Sequence, residues 1–248
     1  MSDRPIEDPW FGRTLDNADG RLLLFCFPPV GGGSMFFRSW LNSRPQRIAI
    51  CPVQLPGREY RIMEQPFERL EPLVQKLVEV IPHERPFALF GHSMGALISF
   101  EVARGLRKQG LPGPQHMFVS AKAAPQLPRK PPRYRLPDHE FVEALRLLGG
   151  TSETVLNDVG LLRDFLPMLR ADFAVIDTYE YVQEEPLDCP IHAFGGREDR
   201  EVSCDQLLPW RTQTRAEFTS RIFPGSHFYI QTAWGKLLED ISNALVNM

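Results

Sequence analysis

Cysteine is scarce in this sequence of 248 residues, and the few that occur do not stand at the spacing of a metal or redox motif. The four positions are Cys26, Cys51, Cys189 and Cys204, with no C-x-x-C pair and no zinc-binding spacing among them. Isolated cysteines of this kind are typical of small buried side chains in a reducing compartment. We therefore predict free, buried thiols and no metal site.

Long hydrophobic runs and an excess of charge are also missing. No apolar run approaches the ~18 residues that span a membrane, and residues 1–21 mix acids, bases and prolines without the apolar core of a signal peptide. The net charge of −3 gives no electrostatic reason to expect a nucleic-acid partner. We therefore expect a cytoplasmic protein with neither a membrane nor a nucleic-acid partner.

What the sequence does contain is enough apolar material for one large core, with 43% hydrophobic residues. Apolar runs typical of buried strands alternate with helical periodicities, which predicts an α/β fold over residues 1–248 with a mostly parallel sheet flanked by helices. The predicted strands are 21–27, 48–53, 86–90, 116–120, 189–194 and 219–223, and the predicted helices between and after them are 70–80, 94–109 and 232–246.

Residues 87–97 read FALFGHSMGAL, in which an apolar strand meets the pattern G-x-S-x-G and a helical pattern follows at once. This order predicts a nucleophile elbow, a tight strand-to-helix turn with Ser93 at its apex. Gly91 and Gly95 lack a Cβ, so the strand and the helix can approach each other closely around the serine. The alternative is an ordinary strand–helix turn that carries a surface serine.

A serine nucleophile needs a base to take its proton and a carboxylate to orient that base. Asp199 follows one predicted strand and His227 follows the last, so both belong to loops at the carboxyl edge of the sheet, beside Ser93. The chain order Ser93, Asp199, His227 is that of the α/β-hydrolases. Glu198 and Asp205 remain rivals for the acid. The other histidines lack such a loop context, and His92 is expected to pack beside the site.

Two backbone amides are candidates for stabilising a negatively charged oxygen in this site. The Met94 N–H follows the serine at the start of a helix, where the helix dipole adds positive charge. The Val30 N–H lies in the glycine-rich loop after the first strand, which supplies the second donor in a hydrolase sheet. The alternative for that loop, which reads PPVGGGS at 28–34, is a flexible turn.

Residues 124–188 contain no strand pattern, and this stretch is much longer than the usual connection in such a sheet. We predict helices from an N-cap at Asp138 to a stop at Gly149-Gly150, over 158–165, and over 167–179 with Pro167 in the first helical position. The many apolar residues in the last two helices indicate that these helices are either covered themselves or cover another part of the protein. We interpret 124–188 as a helical lid over the active site; the alternative is a helical subdomain with its own core and no gating role.

Taken together, these residues resemble a known family, the type II thioesterases of polyketide and nonribosomal peptide synthesis, akin to the thioesterase II associated with fatty acid synthase. The resemblance covers nearly the whole chain. Its marks are Cys26-Phe27-Pro28 before Gly31-Gly32, Phe37-Arg38 and Trp40, Gln54-Leu55-Pro56-Gly57-Arg58, Gly91-His92-Ser93-Met94-Gly95, Leu166-Pro167, Leu169-Arg170-Ala171-Asp172, Gly195-Gly196 before Asp199, and Gly225-Ser226-His227-Phe228.

The resemblance implies hydrolysis of stalled or incorrect acyl groups from the phosphopantetheine arm of an acyl or peptidyl carrier protein. It implies a helical lid, a triad that matches Ser93, Asp199 and His227, oxyanion amides that match Val30 and Met94, a monomer, and no cofactor other than the phosphopantetheine that the substrate carries. One departure is Pro29, where the family commonly has a histidine; backbone donation from Val30 is expected to remain.

Two alternatives to a thioesterase stay open at the level of sequence. A carboxylesterase or lipase that acts on oxygen esters would use the same triad. A non-catalytic binding protein of hydrolase fold would not need an intact triad in order. For the proposed partner, the basic segment Arg129, Lys130, Arg133 and Arg135 is either a docking surface for an acidic carrier protein or a solvated loop.

Overall fold

Six strands form one fully parallel sheet in the order β2-β1-β3-β4-β5-β6 within residues 8–12, 14–15, 18, 20–43 and 45–246, the part of the chain that the computed structural model describes. The strands are β1 Leu22–Phe27, β2 Ile48–Pro52, β3 Phe87–His92, β4 Met117–Ser120, β5 Ile191–Gly196 and β6 Phe218–Phe223. The predicted mostly parallel sheet is confirmed, and each predicted strand is present to within two residues at either end.

The strand order reverses between β1 and β3. From β1 the chain crosses to β2 on one side, and it then returns to β3 on the other side of β1. The loops that leave the carboxyl ends of β1 and β3 therefore diverge, and in such sheets the crevice between them is where ligands bind. The glycine-rich loop follows β1, and the turn that contains Ser93 follows β3. The topology therefore places both at the same crevice.

Strands β1 to β5 are buried on both faces because helices cover each side of the sheet, whereas the edge strand β6 has exposed residues. Successive side chains of β1 point to opposite faces, so Leu23 and Phe25 join one core while Leu24 and Cys26 join the other. The helices are α1 Arg38–Ser43, α2 Leu70–Val80, α3 Met94–Lys108, α4 Asp138–Leu148, α5 Glu153–Asn157, α6 Val159–Asp177 and α7 Ile230–Val246. No helix among the described residues is long and apolar enough to cross a membrane.

The long segment between β4 and β5 forms α4, α5 and α6, and two predictions made for it are wrong. Asp138 is the first residue of α4 rather than its N-cap, because the first hydrogen bond of the helix runs from Phe141 N–H to Pro137 O at 2.9 Å. Pro167 lies inside α6 rather than at the start of a second helix. Apolar contacts on both sides of Pro167 outweigh the one hydrogen bond that the proline removes.

These helices share a small apolar core of their own, and α5 escaped prediction because it is only five residues long. The core consists of Phe141, Leu145, Leu156, Met168, Leu169 and Phe173. The same helices also face the crevice, since Leu148, Phe173 and Ile176 line the cavity that contains Ser93. The segment therefore has its own core and also covers the site; its opening and closing stays a prediction.

The predicted free thiols are found at three buried positions, Cys26, Cys51 and Cys189, while Cys204 is partly exposed. Burial raises the pKa of Cys51 and of Cys189 to about 12, so these thiols stay protonated and unreactive.

Candidate active site

Ser93 occupies the turn between β3 and α3 in a strained backbone conformation, with φ 53° and ψ −113°. Its N–H donates to Ser120 O on the neighbouring strand at 2.8 Å, which holds the turn in place. A residue other than glycine with positive φ is costly, so the surrounding structure must enforce this geometry. The tight strand-to-helix turn predicted at Ser93 is therefore present in the structure, and the role of Ser93 as nucleophile stays a prediction.

The elbow depends on two glycines that let backbone segments approach each other. A Cβ on Gly91 would overlap the carbonyl oxygen of Gly95, and a Cβ on Gly95 would overlap the carbonyl oxygen of Phe27 at the end of β1. Glycine at both positions is therefore required for α3 to leave β3 at this angle and to pack beside the loop that follows β1.

His227 approaches Ser93 from the loop between β6 and α7. Its Nε2 lies 2.9 Å from Ser93 Oγ, and its Nδ1 lies 2.8 Å from Asp199 Oδ2. Both distances are those of good hydrogen bonds. The imidazole is only 5% exposed and the Asp199 carboxylate is fully buried, so this chain of hydrogen bonds is shielded from water on all sides except that of the cavity.

Asp199 reaches His227 because β5 and β6 are adjacent and the loops that follow them are joined. Glu198 N–H donates to Gly225 O at 3.0 Å, and a Cβ on Gly196 would overlap the backbone of Ser226. The second carboxylate oxygen of Asp199 accepts the N–H of Glu201 at 2.7 Å and of Val202 at 3.1 Å. The rival Glu198 is exposed and accepts the Gly225 N–H instead, so the geometry favours Asp199.

The two predicted oxyanion amides belong to a residue that shares a cavity with Ser93 and to the residue that follows Ser93. Val30 and Ser93 line the same cavity of about 150 Å³, and Met94 is the first residue of α3. No described residue accepts a hydrogen bond from the N–H of Val30 or of Met94. One of these N–H groups belongs to a residue that lines the cavity and the other to the residue that follows Ser93. Because backbone donors inside a protein rarely stay unpaired, we interpret them as donors to an oxygen atom of a ligand.

His92 packs beside the site, as expected. Its Nδ1 lies 2.8 Å from Ser120 Oγ, which in turn lies 2.6 Å from the Tyr229 hydroxyl. Burial, with a smaller contribution from the neighbouring His227, lowers the pKa of His92 well below 6.5. A neutral His92 therefore adds no positive charge next to the His227 ring, whose centroid is 5.6 Å away.

The basic segment is largely occupied within the protein. Lys130 and Arg133 both pair with Glu201, at 3.1 and 2.8 Å, and Arg129 donates to the backbone oxygens of Asp177 and Tyr179. These contacts hold the segment against other residues that line the cavity. They also reduce its free positive charge, which argues against docking by these cations alone.

Lys122 lines the cavity with Ser93, and no described residue forms an ion pair or hydrogen bond with its ammonium group. Burial lowers the pKa of Lys122 from 10.5 to about 8; Asp177 and Glu201 oppose this shift, while Lys130 and Arg133 reinforce it. No local pattern in the sequence indicates a role for Lys122, because its burial follows from tertiary contacts.

Substitution of Lys122 should change how stability depends on pH. The folded state binds this proton less tightly than the unfolded chain, so the charged lysine destabilises the fold below pH 8 and the penalty disappears as the pH rises from about 8 towards 10.5. We expect Lys122→Met to melt at a higher temperature than the wild type at pH 7, with the gap shrinking between pH 8 and 10. Thermal melts against pH measure this, with the exposed Lys236→Met as control. A gap that stays constant with pH would contradict it.

The parallel sheet, the serine elbow and the Ser93–His227–Asp199 hydrogen bonds define a protein of the α/β-hydrolase class. Within that class the chain belongs to the thioesterase family, since the model described as "Thioesterase domain" matches residues 23–245. The gramicidin S biosynthesis protein GrsT of Aneurinibacillus migulanus is 44% identical over 233 residues, which cover 93% of this chain and 91% of that protein.

Solved structures agree with this assignment. The RedJ thioesterase from the prodiginine pathway of Streptomyces coelicolor is 34% identical with a TM-score of 0.86, covering 98% of this chain and 94% of that one. The type II thioesterase BorB from the borrelidin cluster is also 34% identical with a TM-score of 0.86, covering 97% and 99%. The predicted resemblance to type II thioesterases is confirmed, and the protein is a thioester hydrolase.

Proposed function

We propose that this protein is an editing thioesterase that releases acyl groups from the phosphopantetheine arm of an acyl or peptidyl carrier protein in polyketide or nonribosomal peptide synthesis. The observation that carries the proposal is the Ser93–His227–Asp199 chain of hydrogen bonds, in which Ser93 and His227 line a cavity. The relatives support the substrate class, because GrsT is named for gramicidin S biosynthesis and RedJ for the prodiginine pathway.

In the proposed mechanism the hydroxyl of Ser93 donates its proton to His227 Nε2 while Oγ attacks the thioester carbonyl carbon. Asp199 accepts the His227 Nδ1–H, which sets the tautomer and stabilises the imidazolium that forms. The N–H groups of Val30 and Met94 hold the negatively charged oxygen, each donor being typically worth ~3 kcal/mol.

The intermediate collapses when the carbon–sulfur bond breaks, and His227 returns its proton to the departing pantetheine sulfur. An acyl ester on Ser93 remains. Water then attacks the ester carbonyl as His227 takes one of its protons, a second oxyanion forms at the same two amides, and Ser93 leaves as the protonated alcohol with release of the free acid. The reaction uses no cofactor belonging to the enzyme, because the phosphopantetheine arrives and departs with the carrier protein.

The cavity and its walls suit the apolar acyl part of a thioester. Its side chains are mainly apolar, among them Leu97, Leu148, Phe173 and Ile176, and its volume of about 150 Å³ is small for a ligand site. The insertion helices supply three of these walls, so we propose that the segment 124–188 acts as the lid that admits the acyl arm. A monomer and a cytoplasmic location stay predictions.

The substrate class is tested by comparing matched acyl groups on three carriers: a phosphopantetheinylated carrier protein, free pantetheine, and the corresponding oxygen ester. We expect kcat/KM to be at least tenfold higher for the carrier-bound thioester than for free acyl-pantetheine, because contacts with the carrier add binding energy. We also expect the oxygen ester to be the poorest substrate. Equal or faster turnover of the oxygen ester would identify a carboxylesterase instead.

A further inference from the structure

The glycine-rich loop after β1 and the adjoining Met35 are held by side chains from two distant parts of the chain. Gly31 N–H donates to Asp172 of α6 at 2.8 Å, and Gly32 O accepts from Arg58 at 2.9 Å. Further along, Ser34 N–H donates to Gln54 Oε1 at 3.1 Å, and Met35 N–H donates to Glu59 at 3.0 Å.

Arg58 and Asp172 also bind each other, in a bidentate pair. Arg58 Nη2 lies 2.6 Å from Asp172 Oδ1, and Nη1 lies 2.8 Å from Oδ2. Both side chains are 4% exposed. The two residues are 114 positions apart in the sequence, and each lies in one of the motifs, Gln54–Arg58 and Leu169–Asp172, for which the reaction proposed above has no use.

A buried ion pair of this kind is a poor source of net stability, because the cost of removing both charges from water offsets their attraction. What it provides is geometry, since the planar guanidinium fixes the carboxylate through two parallel hydrogen bonds. The carboxylate in turn fixes the peptide between Val30 and Gly31. Leu169, one turn before Asp172, reinforces the fit, because a Cβ on Gly31 would lie 2.7 Å from Leu169 Cδ2.

We propose that Arg58 and Asp172 are positioning residues that set the Val30 N–H at the oxyanion, and that they thereby tie helix α6 of the insertion to the chemical step. The proposal rests on the function proposed above. Val30 is held on both sides, because Asp172 fixes the Gly31 N–H that follows it and Pro29 O accepts the Gly32 N–H at 2.9 Å. Its own N–H is left unpaired by the described residues, as an oxyanion donor requires.

The test uses Asp172→Asn, which preserves shape. Gly31 N–H and Arg58 Nη1 both donate to Oδ2, whereas Arg58 Nη2 donates to Oδ1. An asparagine has one acceptor oxygen and would turn its NH₂ group against an N–H of Arg58, so the bidentate pair is lost and, with it, the fixed position of the peptide after Val30. Since small displacements at a reacting centre cost up to about 100-fold, we expect kcat per active site to fall by about tenfold to 100-fold while KM stays within about twofold. Active sites are counted by the end point of Ser93 labelling with a fluorophosphonate, so misfolded protein is not scored as slow enzyme.

A second readout separates positioning from a merely structural role. An alkyl boronic acid adds to Ser93 and places an oxygen at the oxyanion site, whereas a non-hydrolysable pantetheine thioether occupies only the ground-state site. Asp172→Asn should lower the affinity for the boronic acid by the same factor by which it lowers kcat. It should leave the affinity for the thioether unchanged. Arg58→Lys, which retains the charge but loses the bidentate geometry, should give a smaller loss of the same pattern.

The matched control is Arg104→Met, because Arg104 is equally buried at 4% side-chain exposure and pairs with Glu101 and Glu184 away from the cavity. It should lower the melting temperature without changing kcat per site. The proposal is overturned if Asp172→Asn keeps wild-type kcat and boronate affinity per site, or if both Asp172→Asn and Arg58→Lys fail to fold while the control folds. A wild type that binds the boronate more tightly than Asp172→Asn and yet hydrolyses no thioester would refute the substrate assignment alone.

Discussion

Ser93→Ala should abolish turnover, with kcat for acyl-carrier hydrolysis falling by about 10⁴-fold to 10⁶-fold, the loss typical when a serine nucleophile is removed. The reason is that Oγ is the attacking atom in the proposed mechanism and also the hydrogen-bond partner of His227 Nε2 at 2.9 Å. The two oxyanion amides remain, so a small residual rate above the uncatalysed reaction is expected. Single-turnover hydrolysis of a radiolabelled acyl carrier protein measures this loss over the required range.

The control for this variant must show that the elbow itself survives. Alanine has a Cβ like serine, so the positive φ at position 93 costs the same in both proteins. Unchanged thermal stability and unchanged affinity for the pantetheine thioether are therefore expected. Undiminished hydrolysis by Ser93→Ala would remove the basis of the proposed mechanism.

Asp199→Asn is expected to lower kcat by about 10⁴-fold, as the equivalent change does in serine proteases. The cause can be traced to the partners of the carboxylate. One oxygen accepts the N–H groups of Glu201 and Val202, so an asparagine would keep its oxygen there and turn its NH₂ towards His227 Nδ1. Nδ1 would then have to act as an acceptor, so the single proton of the neutral ring would move to Nε2. A protonated Nε2 cannot accept the proton of Ser93. A pH–rate profile and histidine NMR measure the loss and the tautomer.

Glu198→Gln is the matched control, because it removes the neighbouring negative charge at the rival position. Glu198 is exposed and accepts the Gly225 N–H, which a glutamine oxygen also accepts. We expect kcat to stay within about threefold of the wild type. If the losses were reversed, with Glu198→Gln severely impaired and Asp199→Asn active, the acid would have been assigned to the wrong residue.

The sequence predicted those features that short-range patterns determine. β1 and β3 are runs of apolar residues that leave no alternative to burial, and the elbow at Ser93 follows from two glycines at fixed spacing around a serine. Asp199 and His227 could be selected because parallel strands bring their carboxyl ends to one edge, so a position after a strand is itself spatial information.

Features that depend on tertiary contacts escaped prediction. Pro167 indicated a helix start by its local preference, but packing on both sides carries α6 through it. The contact between Arg58 and Asp172 joins positions 114 residues apart. The local sequence around either residue does not indicate that the two will pair. The burial of Lys122 has the same origin, since it arises from the helices folded over the crevice.

β6 is an edge strand with several exposed residues, and His227 lies in the loop that follows it. Edge strands have a neighbour on one side alone and open more easily than central ones. His227, the proposed general base, therefore depends on a poorly protected edge of the sheet, while Ser93, the proposed nucleophile, lies near its well-protected centre. On warming, the region around His227 should therefore open before the centre of the sheet does. Activity would then be lost while most of the hydrophobic core is still intact.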